Sequence, residues 1–414
     1  MKILAASGLA VILAACAGSS LPAGSSHAVE PARSLTSKSG WQFTVLHAFR
    51  GNGPKLPWST LTYLNGAFYG TTDDGGTGSC RHHHGCGTIY ATSPQGKVTV
   101  IHDFQDDANG SYPVAGLTAY EGSLYGTTAT GVIYSILPTG SDYQVLHTLS
   151  ASQGFSPGGL IVLHGLLYGT TAGDVDYTKP CSSYTAGCGT VFAMTPSGQF
   201  TTLYRFKGVR DGDSPSDLVA FKGVLYGTTF AGGRSERCED GCGTIFSMTT
   251  SGAKHTLYSF ESGRDGHYPS NGGLALLNGT LYGTTEGGGE GCRPSAGCGT
   301  VFQVSTSGQY RVIYRFTGVS GDGAFPAAPL YALDGTLYGT TEGGGAQSGS
   351  SGNGTIFRTT PSGEESVLYA FQGLPPEPQT ALTSLNGTLY GTTPFGGPNP
   401  HDIGMIFSLA PSSR

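Results

Sequence analysis

The tetrapeptide Tyr-Gly-Thr-Thr occurs seven times in this chain, and nothing else in the sequence restricts the fold as much. Its tyrosines are Tyr69, Tyr125, Tyr168, Tyr226, Tyr282, Tyr338 and Tyr390, spaced by 56, 43, 58, 56, 56 and 52 residues. Units of this length fit one blade of a β-propeller and are too long for a leucine-rich or ankyrin repeat. The unit from Tyr331 to Phe371 shows the grammar. "LYAL" and "TLYGTT" flank Asp334-Gly335, a strong hairpin signal because glycine relieves the positive-φ strain of a type I′ turn. A Gly-rich loop, the strand "GTIFRTT", a "PSG" turn and the strand "ESVLYAF" follow. Each unit therefore predicts four short antiparallel strands, and no stretch carries a helical period.

The last unit ends after its third strand, while "QFTVLHAF" at 42–49 matches a fourth strand with no partner before it. If the N-terminal strand completes the last blade, the count becomes seven of each strand and no edge is left open. The expectation is an all-β, seven-bladed β-propeller of four-stranded antiparallel blades, closed by residues 42–49.

Composition agrees. Glycine accounts for 69 of 414 residues and charged residues for 12%, while aromatics remain at 10%, enough rings to build a core. The net charge of −6 comes without a basic stripe, which argues against nucleic acid as a partner. At the N-terminus one lysine precedes an apolar run from Ile3 to Ala15 that suits a secretory signal and is short for a membrane span. It ends in Leu13-Ala14-Ala15-Cys16, which resembles a bacterial lipobox; by that resemblance Cys16 is the lipidated first residue and Ala17 favours the outer membrane. The expected organisation is a signal peptide at 1–16, a flexible tether at 17–40 and the propeller at 41–414. The other eight cysteines form local pairs: Cys80/Cys86, Cys181/Cys188, Cys238/Cys242 and Cys292/Cys298. Closely spaced pairs in an exported chain read as disulfides. Zinc is the rival reading, but no pair has CxxC spacing.

The "LYGTT" element, its trailing glycines and the "GTIF" strand resemble the tandem-repeat family named after Gloeobacter and Verrucomicrobia, across nearly all of 41–414. The resemblance implies an exported, surface-anchored repeat protein and carries over no catalytic residue. The second unit departs from the pattern, with "ATG" in place of a long loop.

Functional candidates lie in the loops after the second and fourth strands, which open on one face of a propeller. The loops after the fourth strand repeat Gly-x-x-Pro and place Asp211, Asp265 and Asp322 at one position, with Asn109 and Gln153 elsewhere. Such carboxylates, with Glu286, Glu342 and Asp74 nearby, could hold Ca²⁺; the plainer reading is a carboxylate bonding its own turn. His82, His83 and His84 lie between two cysteines, but consecutive side chains diverge, so they read as an adventitious metal site rather than a built one. The recurrent tyrosines read as core between blades. Loop aromatics Tyr112, Phe155, Tyr177, Tyr184, Phe230, Tyr268, Phe325 and Phe395 are better placed to touch a sugar or a partner. The leading expectation is a monomeric, non-catalytic module that binds a glycan or an envelope protein, held to the membrane only through the Cys16 lipid, with no resident cofactor. The alternatives are an enzyme acting on extracellular polymers through Asp211, Asp265 or Asp322, and a structural envelope protein.

Overall fold

The computed structural model describes residues 34–36, 40–51, 53–80, 84–105, 107–113, 115–173, 181, 187–269, 273–289, 291–292, 297–346, 352–372 and 377–412. Seven antiparallel blades follow the seven units. Blade 4 is typical: Val219–Phe221, Val224–Ala231, Thr244–Thr249 and Lys254–Ser259 pair in that order. The first strands of neighbouring blades touch one another, so they surround the axis and the fourth strands form the rim. All seven hairpins between first and second strands put two residues at positive φ, as in Asn278-Gly279 (50° and 78°), the backbone a type I′ turn requires.

The ring closes as the sequence predicts. Trp41–Ala48 pairs antiparallel with Met405–Pro411, so the N-terminal strand is the fourth strand of blade 7. The structure adds a further strand, Ser34–Thr36, on the outside of Trp41–Ala48, within the stretch expected to be tether. A short β-capable "SLT" can pair there because the backbone groups of an outer strand are otherwise unmatched. Cys16 and the rest of the proposed signal lie outside the described residues.

Each letter of the motif has a packing reason. The tyrosine is buried between blades: Tyr226 of blade 4 joins Leu281, Phe302 and Val304 of blade 5 in one cluster. The glycine lies under the third-strand aromatic; a Cβ on Gly227, Gly283 or Gly339 would come within 2.5–2.7 Å of the ring tip of Phe246, Phe302 or Phe357. The first threonine reaches the next blade, as Thr71 Oγ1 donates to Ala115 O (3.1 Å) and Thr392 Oγ1 to Ser59 O (3.0 Å) across the ring closure. The second threonine bonds the threonine of the third strand, as in Thr229/Thr244 and Thr285/Thr300, both at 2.8 Å. The glycine of "GTIF" has positive φ in every blade and, in all but blade 2, seats the proline that enters the next blade, as Gly243 does for Pro269.

Blades 1 and 2 carry tyrosine where the others carry phenylalanine, and among the described residues the fully buried Tyr90 and Tyr134 hydroxyls have no hydrogen-bond partner. A buried unmatched hydroxyl costs free energy. Tyr134→Phe is therefore expected to stabilise the protein by about 1 kcal/mol in a denaturant titration; a loss of stability would contradict this packing.

Among the described residues no helix is long and apolar enough to cross a membrane. All four cysteine pairs are disulfides, with Cα–Cα distances of 5.0–5.2 Å, which suits an extracellular or periplasmic compartment.

Candidate ligand-binding face

The loops after the second and fourth strands meet on one face, because the Gly-x-x-Pro segment pairs with the end of the second strand. In blade 4, Asp213 lies opposite Ala231 and Pro215 opposite Thr229. The inner strand is thus longer than expected but interrupted, since the residue before each proline breaks the ladder. Those residues are Leu56, Tyr112, Ser156, Ser214, Tyr268, Phe325 and Glu377, and all have φ between 45° and 60°. Left-handed backbone is costly for side chains of this kind and persists only where surrounding bonds hold it. The bonds are present: the N–H groups of Tyr112, Tyr268 and Phe325 donate to the carbonyls of Cys86, Cys242 and Cys298 in the preceding blade at 2.8–3.0 Å. Three of the disulfides therefore brace the backbone that presents these rings. The cluster of Cys181, Cys188 and Asp213 has metal-like spacing, but both sulfurs are already joined to each other.

The recurring aspartates are used within their own loops. Asp265 accepts from the Tyr258 hydroxyl (2.7 Å) and the Glu261 N–H (3.1 Å). Asp211 accepts from the Tyr204 hydroxyl (2.8 Å), the Lys207 N–H (2.9 Å) and the buried Lys254 ammonium (2.9 Å). Asp322 accepts from the Tyr314 hydroxyl, both Thr317 donors and the Gly323 N–H, at 2.6–3.1 Å. Gln153 takes the same seat, meeting His147 (3.1 Å) and the Ser150 N–H (2.8 Å). Asn109 instead offers its carbonyl to the Tyr143 hydroxyl (2.6 Å), while Asp107 accepts from its N–H. The structure thus spreads these residues through separate loops and brings none of them to a common centre. Asp322→Ala would leave several buried donors unmatched and is expected to cost about 2–4 kcal/mol in chemical denaturation. A change below about 0.5 kcal/mol would show that the loop is held by other means.

A different group of acids converges. The residue after each Tyr-Gly-Thr-Thr lies opposite the residue before the proline: the Glu342 N–H donates to Phe325 O (3.0 Å) and the Asp73 N–H to Leu56 O (3.0 Å). Glu286 and Glu342 hold this position in blades 5 and 6, and Glu377 holds the residue before the proline at blade 7. Burial, and then the charge of Glu342, pushes the Glu286 carboxyl up to about 8. Burial, and then Glu377, pushes Glu342 up to about 7, against a hydrogen bond from Gln379. Burial also raises Glu377. Tyr268 and Phe325 occupy the same tier, and Tyr268 stacks on Phe230 of blade 4 at 4.9 Å. Trp58 meets Phe395 edge-on at 5.4 Å across the closure. The result is an arc of carboxyls and rings over blades 4 to 7. Near neutral pH the Glu286 and Glu342 carboxyls can both donate and accept hydrogen bonds, which suits a ligand rich in hydroxyls.

Glu377 escaped the sequence reading because its unit reads "LPPEPQ", without the glycine that marks the other loops. Asp217 was also missed. It accepts from the Gly159 N–H of blade 3 (2.7 Å), and burial raises its carboxyl to about 6. Its only signal is an acid two residues after the proline, where the other units have Ser59, Ala115, Gly159, Asn271, Ala328 and Thr380. Asp74 forms a backbone bridge with Lys55, and Phe155 pairs with Gly173. His82, His83, Tyr177 and Tyr184 lie outside the described residues, and the His84 carbonyl accepts from the Gly75 N–H.

The raised carboxyls make stability depend on pH. Their folded pKa values exceed the ordinary glutamate value, so between about 4.5 and about 8 the folded protein holds protons that the unfolded chain releases. Their contribution is fully present at low pH and is lost as pH rises through about 7 and about 8. The melting temperature is expected to fall between pH 6.5 and pH 9, and Glu286→Gln with Glu342→Gln to flatten that fall. An equal slope in wild type and variant would contradict the assignment.

Several solved structures share the fold. Oligogalacturonate lyase from Vibrio parahaemolyticus superposes with a TM-score of 0.58 at 8% identity, over 92% of this chain and 96% of that one. An oligogalacturonate lyase in complex with manganese gives 0.56 at 9%, with the same coverage. The WD40 β-propeller domain of Doa1 gives 0.54 at 13%, over 88% of this chain and 96% of that one. Identities this low establish the architecture alone. No curated protein matches the chain in sequence. The sequence profile of the Gloeobacter/Verrucomicrobia repeat matches residues 34–180 and 237–414, and the chain belongs to that repeat family.

Proposed function

We propose that this propeller is a non-catalytic glycan-binding module of the bacterial envelope, tethered through a lipid on Cys16. The observation that carries the reading is the arc of Glu286, Glu342 and Glu377 beside Tyr268 and Phe325 on a face braced by disulfides. Rings offer apolar faces to sugars, the carboxyls bond hydroxyls, and a braced backbone loses little entropy on binding. The apolar run before Cys16 and the four disulfides support export. The aspartate loops, occupied by their own tyrosines and backbone, do not support a calcium ring or catalysis by Asp211, Asp265 or Asp322.

A second reading has one specific observation in its favour. Two neighbouring carboxyls with raised pKa values, Glu286 and Glu342, are what general acid–base catalysis on a polymer uses. One experiment separates the two. The oxidised protein is incubated with a panel of cell-wall and environmental polysaccharides, and both co-sedimentation and released products are measured. Sedimentation without products supports the binding module. Released products that vanish in Glu286→Gln replace it with the enzyme, and if neither sedimentation nor products appear, glycans leave the account.

A further inference from the structure

We infer that the outer flank of blade 4 carries a second binding site, for an acidic saccharide, separate from the arc and independent of the reading above. A groove of about 630 Å³ lies there between the loop after the second strand and the fourth strand, Lys254–Ser259. This volume falls in the range of small-ligand sites. Arg234 and Arg237 stand on the loop side, both exposed, and neither guanidinium is in an ion pair among the described residues. Glu236 and Glu261 are the acids of the lining.

The walls are built to stay in place. The Cys238–Cys242 disulfide closes the loop just beyond Arg237. Its near end lies flat on the fourth strand: the Arg234 N–H donates to Ser259 Oγ (2.8 Å), and a Cβ on Gly233 would come 2.6 Å from that oxygen. Tyr258 also lines the groove, fixed by its bond to Asp265 (2.7 Å) and by stacking on Tyr310 at 3.9 Å. A guanidinium offers paired donors to a planar anion, and two of them line this groove. The acids beside them fit acceptors for hydroxyls. A ligand with a carboxylate flanked by hydroxyls, as in a hexuronic acid, matches both.

The test uses the full chain with its disulfides formed, a hexuronic acid trimer and the corresponding neutral hexose trimer. Binding is read by calorimetry and by chemical-shift changes at the arginine side chains. The uronic trimer is expected to shift the Arg234 and Arg237 side-chain signals and the neutral one not, with the uronic shifts weakening as salt is added. Arg234→Gln with Arg237→Gln should lower affinity about tenfold or more without moving the melting temperature. Glu286→Gln should leave this binding intact, so failure of the arc and failure of this groove are told apart. Equal shifts at the two arginines with both trimers, no uronic shifts there at millimolar concentration, or full uronic affinity in the arginine variant would each overturn the proposal. Shifts at Arg234 and Arg237 in the wild type decide the matter if the variant does not fold.

Discussion

Removal of residues 34–48 is expected to abolish cooperative folding. The deleted strand, Trp41–Ala48, pairs along its whole length with Met405–Pro411. Phe43 stacks on Tyr369 at 4.0 Å and on Phe407 at 5.3 Å, and so ties blade 6 to blade 7. Just beyond it, the Phe49 N–H donates to Gly404 O and the Ile403 N–H to Phe49 O, both at 2.9 Å. Truncating one large buried aromatic costs about 3–5 kcal/mol. Losing Phe43 together with a strand of hydrogen bonds approaches the whole stability of a typical domain, about 5–15 kcal/mol. The third strand of blade 7 would also become an open edge, which invites aggregation. Circular dichroism on heating should show no sharp transition in the truncated chain, and an added peptide covering 34–50 should restore it. A truncated protein that melts like the full one would show that the blades do not depend on closure.

The second large effect concerns space. Gly283 in blade 5 has an ordinary backbone, but an added Cβ would lie 2.5 Å from Phe302 Cζ and 3.0 Å from Leu274 Cδ2. Both neighbours are buried, so the alanine has nowhere to go. Gly283→Ala is expected to destabilise the protein by about 2–4 kcal/mol, at the upper end for overpacking. Phe302→Leu shortens the ring that blocks it, so the double variant should be more stable than the sum of the single changes predicts. Gly335→Ala provides the contrast. Its Cβ would meet nothing within 4 Å, and only its φ of +76° opposes the change, so the cost should be about 1 kcal/mol. Urea titration of the wild type, the two single variants and the double variant gives the coupling between positions 283 and 302. A coupling near zero would remove the explanation given for the invariant glycine of the motif.

The fold was legible because each rule that writes it is local or repeated. Asn278-Gly279 announces a hairpin, "GTIF" a buried strand, and an unpartnered "QFTVLHAF" the closure. The split inner strand was not legible, since Ser214 and Tyr268 do not advertise left-handed backbone. The proline beside each was visible, but the carbonyl that holds the backbone comes from the preceding blade. The site was legible in part. Glu286, Glu342, Tyr268 and Phe325 stood out as loop residues, yet so did Asp211, Asp265 and Asp322, and sequence cannot distinguish a carboxylate that caps its own turn from one facing a ligand. That distinction rests on Tyr204, Tyr258 and Tyr314, seven or eight residues upstream, whose hydroxyls reach the aspartates only once the strand and loop have formed. Glu377 and Asp217 each break the pattern of their unit, and a repeat is read by its agreements.

The measurement that tests the central claim most directly is binding of one polysaccharide, identified from the panel, to wild type and to Glu286→Gln with Glu342→Gln, with folding of both verified by melting. The arc as binding surface predicts affinity at least about tenfold weaker in the variant, because an amide donates and accepts from fixed atoms whereas a carboxyl near its pKa adjusts its proton to the ligand hydroxyl. Unchanged affinity in a folded variant would contradict it and move the ligand away from blades 5 and 6.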